Sequence, residues 1–178
     1  MNTEFKVEKP GSHLDQLLRV TQAHLVQLSS MADMKANMLL TMSSVVMTLS
    51  LPQLFKDTHL WPLIILIAFC LLTIGLAIYA VMPKIPVGIA KVPPDINSPN
   101  FNLLFFGDFT RLTQAQFEGA MQEIMSDHSR TYGTQVRELY LLGTFLAKKK
   151  YRFLRLAYLS FFTGLLLTFT GFLFVAWK

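Results

Sequence analysis

The sequence predicts an all-α integral membrane protein with about three transmembrane helices, and its composition and charge pattern support this fold class. Hydrophobic residues make up 52% of the 178 residues and charged residues 15%, against about 25% charged in a typical soluble domain. The charges crowd into residues 1–35 and 83–155, with long uncharged stretches beside them. Membrane spans alternating with soluble pieces produce this pattern. We therefore predict a single domain over residues 1–178, with a small helical cytoplasmic part formed by the N-terminal stalk and the loop between spans two and three.

Two apolar runs are the clearest predicted spans. The run at residues 60–82 has no charged residue, and Trp61 and Tyr79 lie near its two ends, where aromatic residues line membrane interfaces. The run at residues 153–177 contains a single charge, Arg155, close to its beginning. A helix needs roughly 20 residues to cross about 30 Å of hydrocarbon. Both runs are long enough, so we predict the second and third transmembrane helices there.

The first predicted span, residues 36–55, is less apolar than the other two. It is short unless its last four residues are included, and a buried helix of a soluble core is the alternative interpretation. We favour a span because the next one begins a few residues later, which makes a hairpin of two spans the simplest arrangement. If a pore forms, the hydroxyl residues of this segment are its candidate lining: Thr41, Ser44 and Thr48, with Ser43 and Ser50.

The distribution of Lys and Arg predicts the orientation in the membrane. Of the 16 basic residues, four lie in residues 1–35 and ten in residues 83–155. Because positive charge marks the cytoplasmic side, we predict a cytoplasmic N-terminus and a C-terminus on the periplasmic or extracellular side. The run KKKYRFLR before the third span is the strongest of these features. It suits a topology anchor on anionic lipid headgroups, and contact of some of its lysines with a nucleotide phosphate is the alternative.

The segments outside the spans are predicted to be mostly helical. Residues 1–35 form a stalk helix that runs straight into the first span. Residues 83–152 form a cytoplasmic helical region, and its first part, residues 83–100, is an extended linker because it holds five of the chain's eight prolines.

Two helices are predicted in the rest of this region. Thr113 and Gln116 have the spacing of a capping box and predict a helix that begins there. A second helix starts near Asp127 and continues into the third span. The apolar side of the first helix is predicted to carry Phe117, Met121, Ile124 and Met125.

The sequence contains no pattern that indicates catalysis or a metal centre. Cys70 is the only cysteine, and the four histidines are scattered without ligand spacing. A phosphate-binding glycine loop and a nucleophile elbow are both missing. We therefore predict that the protein is not an enzyme, has no catalytic residue, metal or cofactor, and does not bind nucleic acid directly.

Two groups of polar residues are candidates for ligand binding. Arg130 and Arg137 are two turns apart on one predicted helix, and paired arginines suit phosphate. A solvated or lipid-facing helix surface is the alternative interpretation. Asp33, Lys35 and Asn37 lie where the stalk meets the first span, and each of the two charges should find a partner on another element. Ordinary anchoring at the interface is the alternative for this group.

Three strings in the chain resemble the Pycsar effector membrane domain. They are MADMKANMLL before the first span, FNLLFFGDFTRLTQAQFEGAM after the linker, and LAKKKYRFLRLAY entering the last span. The resemblance extends from about residue 13 to residue 177. In this chain it points to five residues of the family's pattern, while Arg130 and Arg137 are added from charge alone. The five are Asp33, Lys35, Asn37, Lys150 and Tyr151.

The resemblance implies a membrane effector of bacterial anti-phage defence. In proteins like this, a cyclase activated by infection makes a cyclic pyrimidine mononucleotide. The effector senses it and impairs the inner membrane, so that growth stops before phage can spread (abortive infection). The nucleotide is then an activating ligand. The implied partners are the lipid bilayer, further copies of the chain in a homo-oligomer, and a functionally paired pyrimidine cyclase.

A second hypothesis belongs to a different class: a non-enzymatic membrane anchor or adaptor that recruits a cytoplasmic partner. The effector hypothesis predicts toxicity and depolarisation when the ligand is produced, and the adaptor hypothesis predicts neither. A small transporter subunit is less favoured, because the spans contain no acidic residue and no basic residue deeper than Arg155.

Overall fold

The protein, described from a computed structural model, is mostly helical in the part of the chain that the structure describes. That part comprises residues 5–55, 61–83, 95–96, 98 and 101–177, and it contains no strand. The all-α prediction is therefore confirmed. The helices are α1 (Ser12–Ser50), α2 (Trp61–Val81), α3 (Phe106–Phe109), α4 (Gln114–Met125), α5 (His128–Phe145) and α6 (Arg152–Trp177), with a 3-10 turn at Leu51–Phe55 and a π-helical turn at Leu146–Tyr151.

Three helical stretches are long and apolar enough to cross a membrane, as the sequence predicts. They are Ser12–Phe55, Trp61–Val81 and the continuous helical run His128–Trp177. The 21 residues of α2 extend for about 31 Å, close to the roughly 30 Å of a hydrocarbon core. The protein is thus an integral membrane protein with three candidate spans among its described residues. The proline-rich linker predicted at residues 83–100 and the loop between the first two spans lie largely outside the described residues.

The chain divides into two compact units. The first comprises Met1–Gln27 and Pro83–Phe145, and the second comprises Leu28–Met82 and Leu146–Lys178, each as far as it is described. Helix α1 contributes its first turns to one unit and its remainder to the other. The continuous run from α5 to α6 changes unit where the π-helical turn begins.

The core of the first unit forms around the segment after the linker. Phe101, Leu103, Leu112 and Ala120 are buried together, so this apolar segment is part of a core. Thr113 caps α4, and its side chain and that of Gln116 form the predicted capping box. The prediction that Met125 belongs to the apolar side of α4 is wrong, because this residue is 66% exposed. The core is lined further by Ile96, Phe109, Phe117, Met121 and Ile124.

The second unit is held together by small residues that let its helices approach closely. Buried alanines from three helices meet in its core, and Leu39 and Leu154 fill the space between them. Farther along, a Cβ atom placed on Gly164 would lie 2.4 Å from Cβ of Phe69, so α6 packs against α2 without room for a side chain there. Close approach through small residues is the usual way in which membrane helices pack. The alanines of this core are Ala32 and Ala36 of α1, Ala77 of α2 and Ala157 of α6.

Candidate functional site

Lys150 lies at the centre of a polar cluster in the second unit. The π-helical turn carries it, and 10% of its side chain is exposed. Its ammonium group lies 2.7 Å from each carboxylate oxygen of Asp33 on α1 and donates to Oδ2. It also donates to the hydroxyl of Ser29 at 2.8 Å and to the Ser29 carbonyl at 3.3 Å. The prediction that Asp33 finds its partner on another element is thus confirmed, and the partner is Lys150.

Tyr151 strengthens the same connection between helices. Its hydroxyl donates to the backbone carbonyl of Leu28 at 3.0 Å. Adjacent residues of the π-helical turn therefore both bind α1, Lys150 by its ammonium group and Tyr151 by its hydroxyl. A π turn inside an α-helix is rare and frequently coincides with a functional position. The cluster thus connects α1 to the π-helical turn, and Asp33 neutralises the nearly buried charge of Lys150.

Lys35 and Asn37 do not join this cluster. Both side chains are exposed, and neither forms a hydrogen bond or ion pair with any residue that the structure describes. The structure therefore brings together Asp33, Lys150 and Tyr151 of the five residues in the family's pattern. It leaves Lys35 and Asn37 at the surface of α1.

Arg130 and Arg137 line a separate cleft, within the first unit. The cleft has a volume of about 850 Å³ and runs between α4 and α5. Arg130 forms an ion pair with Glu123 of α4, so its charge is partly neutralised. Arg137 is exposed and has no polar partner among the described residues. Arg137 is thus the cation of this cleft that remains available to a ligand.

The other residues of the cleft suit a ligand that has both a charged and a planar part. Gly133 leaves space on α5, where the ring of Phe5 is the nearest group. Tyr140 lies one turn beyond Arg137 and is 70% exposed. A guanidinium group binds phosphate through two parallel hydrogen bonds, and an aromatic ring can stack on a planar base. The cleft volume lies within the range of small-molecule sites.

Thr41, Ser44 and Thr48 form a polar stripe on the first span together with Asn37. All four side chains are exposed, and their spacing of four, three and four residues places them along one line of the helix. This line, the polar stripe, lies about 140° around the helix from the buried residues of α1. Ser43 and Ser50, the other two hydroxyl residues proposed as lining, are buried and do not belong to the stripe.

Sequence reasoning missed several residues that complete these sites. Ser29 precedes Asp33 by four residues, and this spacing places both side chains on one helix face. The spacing could have indicated that both bind the same partner. The π-helical turn has no sequence signature, so the inward orientation of Lys150 relative to its exposed neighbour Lys148 could not be anticipated. Gly133 and Tyr140 share a helix face with Arg137, but an exposed helix surface would show the same pattern.

Comparison with known proteins identifies one family. The family model described as the Pycsar effector protein domain matches residues 16–177, which is nearly the whole chain. No curated protein and no solved structure matches the chain.

Proposed function

The chain belongs to the Pycsar effector protein family, and from that premise we propose that it is a nucleotide-gated membrane effector of bacterial anti-phage defence. A cyclic pyrimidine mononucleotide, made by a paired pyrimidine cyclase, activates it. The activated protein assembles into a homo-oligomer and impairs the inner membrane, which stops growth before phage spread. The role is not enzymatic, and the protein needs no cofactor besides the activating ligand.

The observation that carries this proposal is the polar stripe on the first span. A single chain in a bilayer would direct Asn37, Thr41, Ser44 and Thr48 towards lipid, because they lie away from the face of α1 that is buried. Polar groups in membrane helices are stabilised by facing other helices or water. Assembly of several copies around this stripe would give it a polar environment and a path for ions.

Two hydrogen bonds within the stripe lower the cost of exposing it to lipid before assembly. The hydroxyl of Thr41 donates to the carbonyl of Asn37 at 3.0 Å, and that of Thr48 donates to the carbonyl of Ser44 at 2.8 Å. These bonds satisfy two of the three hydroxyl donors of the stripe within the helix, those of Thr41 and Thr48. The hydroxyl oxygens keep lone pairs that can accept from water once a water-filled path exists.

The cleft between α4 and α5 supports binding of the nucleotide in the first unit. Arg137 supplies a cation for the cyclic phosphate, and Tyr140 supplies a ring for the base. We assign these two residues to the activating ligand and give Arg130 a smaller part, because Glu123 already pairs with it. The family's pattern also includes the Lys150 cluster, to which we assign the coupling of α1 to α6 because its donors are already engaged with α1.

We further propose that the protein lies in the inner membrane with a cytoplasmic N-terminus and a C-terminus on the other side. Ten of the 16 basic residues lie in residues 83–155 and four in residues 1–35, which supports this orientation because basic residues concentrate on the cytoplasmic side. The cleft is then on the side of the membrane where a cyclase would release its product.

The proposal is tested by measuring membrane potential in bacteria that express the full chain with an active or an inactivated pyrimidine cyclase. We expect depolarisation only with the active cyclase. Arg137→Gln should abolish this response, and Arg19→Gln serves as a matched control because Arg19 is an exposed arginine outside the cleft. Both variants must be present in the membrane at the level of the unmodified chain.

The possible outcomes separate the effector from an anchor or adaptor. Unchanged potential with the active cyclase, in cells with normal levels of the protein, would overturn the effector function and favour the adaptor. Depolarisation that persists in Arg137→Gln would retain the effector function but move the ligand out of this cleft. Direct binding of cyclic CMP or cyclic UMP to the purified chain distinguishes these cases further.

A further inference from the structure

A second cationic surface lies in the second unit, at the beginning of the third span. Lys148, Arg152 and Arg155 line an open concavity of about 610 Å³, whose remaining residues are Ala147 and Tyr151. The three cations follow each other at intervals of four and three residues and so lie on one side of the helix. We call this surface the cationic face.

The charges of the cationic face are not neutralised within the described part of the chain. All three side chains are exposed, and none of them forms an ion pair or hydrogen bond with a described residue. The sequence from Leu139 to Trp177 contains no Asp or Glu, so the helix offers no counter-charge of its own. Lys150, by contrast, points inwards and is paired with Asp33. The cationic face therefore has charge to offer to an external anion.

One residue that lines the concavity is held in place by a hydrogen bond to α1. Tyr151 is one of its lining residues, and the hydrogen bond from its hydroxyl to the Leu28 carbonyl fixes the ring in place. Ala147, one turn earlier, also lines the concavity and occupies little of it with its small side chain. Two guanidinium groups next to each other can each bind phosphate oxygens through parallel hydrogen bonds.

Helix lengths place the cationic face at the depth of lipid phosphates. The 22 residues from Leu156 to Trp177 extend for about 33 Å, which matches a hydrocarbon core of about 30 Å. The stretch from Lys148 to Arg155 extends for roughly 10 Å farther along the helix axis. When the apolar stretch fills the hydrocarbon core, the three cations lie in the headgroup layer.

We infer that the cationic face is a binding site for the phosphodiester headgroup of an anionic phospholipid. Lys148, Arg152 and Arg155 bind the phosphate oxygens, and the ring of Tyr151 packs beside the headgroup. The inference does not depend on nucleotide gating, because the cationic face shares no residue with the cleft that carries Arg137.

The test is native mass spectrometry of the full chain in detergent with equal amounts of phosphatidylglycerol and phosphatidylcholine. We expect phosphatidylglycerol to be retained in preference to phosphatidylcholine. The double variant Arg152→Gln/Arg155→Gln should bind phosphatidylglycerol about 30-fold more weakly, since each basic residue near an anionic lipid surface contributes about a factor of five. The double variant Arg19→Gln/Arg111→Gln removes the same charge outside the concavity and should bind like the unmodified chain.

Three results would overturn the inference. Equal retention of the two lipids would show that the site does not select an anionic headgroup. Undiminished phosphatidylglycerol binding by Arg152→Gln/Arg155→Gln, with helix content unchanged by circular dichroism, would place the lipid elsewhere. Displacement of the lipid by an equal concentration of soluble glycerol phosphate would show that the site takes a free phosphate ester rather than a lipid.

Discussion

Lys150 carries its positive charge at a position that water reaches poorly. Only 10% of its side chain is exposed, whereas 43% of the Asp33 side chain is exposed. Burying a charge is unfavourable unless a partner of opposite charge and further hydrogen bonds compensate for the lost water. Asp33 and Ser29 supply this compensation from α1. The pair therefore connects α1 to the residues that precede α6, and its removal tests that connection.

We expect Asp33→Ala to lower the free energy of unfolding by about 2 kcal/mol, because it leaves the ammonium group of Lys150 buried without a counter-charge. This value is below the range of roughly 3–5 kcal/mol for a fully buried pair, since water partly screens Asp33. The measurement is thermal unfolding of the full chain in detergent. Lys148→Ala, at an exposed neighbouring position, is the control and should have little effect. If Asp33→Ala unfolds at the temperature of the control, the pair does not stabilise the protein.

Glu138 is a residue whose protonation links pH to the stability of the first unit. Burial raises its pKa above the ordinary value of 4.5, and a hydrogen bond from the Gln22 amide partly opposes the shift. The folded chain therefore holds this proton more tightly than the unfolded chain does. The contribution of Glu138 to the free energy of unfolding is therefore greatest below pH 4.5. This contribution is lost as the pH rises through the raised pKa.

Glu138→Gln should consequently raise the unfolding temperature at neutral pH. The substitution removes a partly desolvated negative charge and keeps an oxygen that accepts from Gln22. At a pH of about 4 the unmodified side chain is already protonated, so the gain should disappear there. Thermal unfolding of both proteins at the two pH values measures the difference. A gain of equal size at both pH values would argue against desolvation as its cause.

At the scale of the elements, glycines of the spans differ in what they contact. A Cβ on Gly164 would lie 2.4 Å from the Cβ of Phe69, a position that cannot move without the backbone of α2. A Cβ on Gly75, in α2, would have no neighbour within 4 Å. We expect Gly164→Ala to destabilise the packing of α6 against α2 by about 1–3 kcal/mol through overpacking.

Gly75→Ala is the matched control for this prediction. It adds the same methyl group to a membrane helix, but into open space, so it should be neutral or slightly stabilising because alanine favours the helix. Unfolding in detergent, monitored by circular dichroism, compares the two variants. Equal behaviour of Gly164→Ala and Gly75→Ala would mean that α2 and α6 do not pack closely at Gly164.

The helices were predictable wherever a local pattern determines them. Apolar runs of membrane length predicted the spans, and the spacing of Thr113 and Gln116 predicted the cap of α4. The π-helical turn was not predictable, because the contacts of Lys150 and Tyr151 with residues more than 100 positions earlier accompany it and no local pattern encodes it. Met125 is exposed for a similar reason: helical periodicity gives a broad apolar side, and the tertiary partners decide which of its residues are buried.

At the scale of the whole molecule, the residues predicted to bind a ligand separate into groups with different surroundings. Charge predicted Arg130 and Arg137 as equals, but Glu123 pairs with the first and not with the second. The sequence could not show this difference, since Glu123 belongs to another helix whose position depends on the turn between α4 and α5. The family's pattern pointed to Lys150 as a ligand residue, whereas the structure shows its donors engaged with Ser29 and Asp33. Both differences arise from pairing across helices.

The hydroxyl groups of the polar stripe can be removed to test their role in the assembled protein. Thr41→Val, Ser44→Ala and Thr48→Val together remove its hydroxyl groups and keep side chains of similar shape. A dry apolar surface along an ion path opposes the entry of water. If copies of the chain assemble around this stripe, the triple variant should therefore lose most of the depolarisation that an active cyclase produces. Membrane potential in growing cells is the measurement, with the amount of protein in the membrane determined in parallel.

The matched control for the stripe is the double variant Thr163→Val/Thr170→Val. It removes two exposed hydroxyl groups seven residues apart on α6 and leaves α1 unchanged. This control should depolarise cells as the unmodified chain does, because its positions lie on a different span. Full depolarisation by the triple variant would show that the hydroxyl groups of α1 do not face the ion path. An equal loss of depolarisation in both variants would instead indicate that hydroxyl groups on membrane helices matter for insertion or folding in general. The stripe would then not be the lining of an ion path.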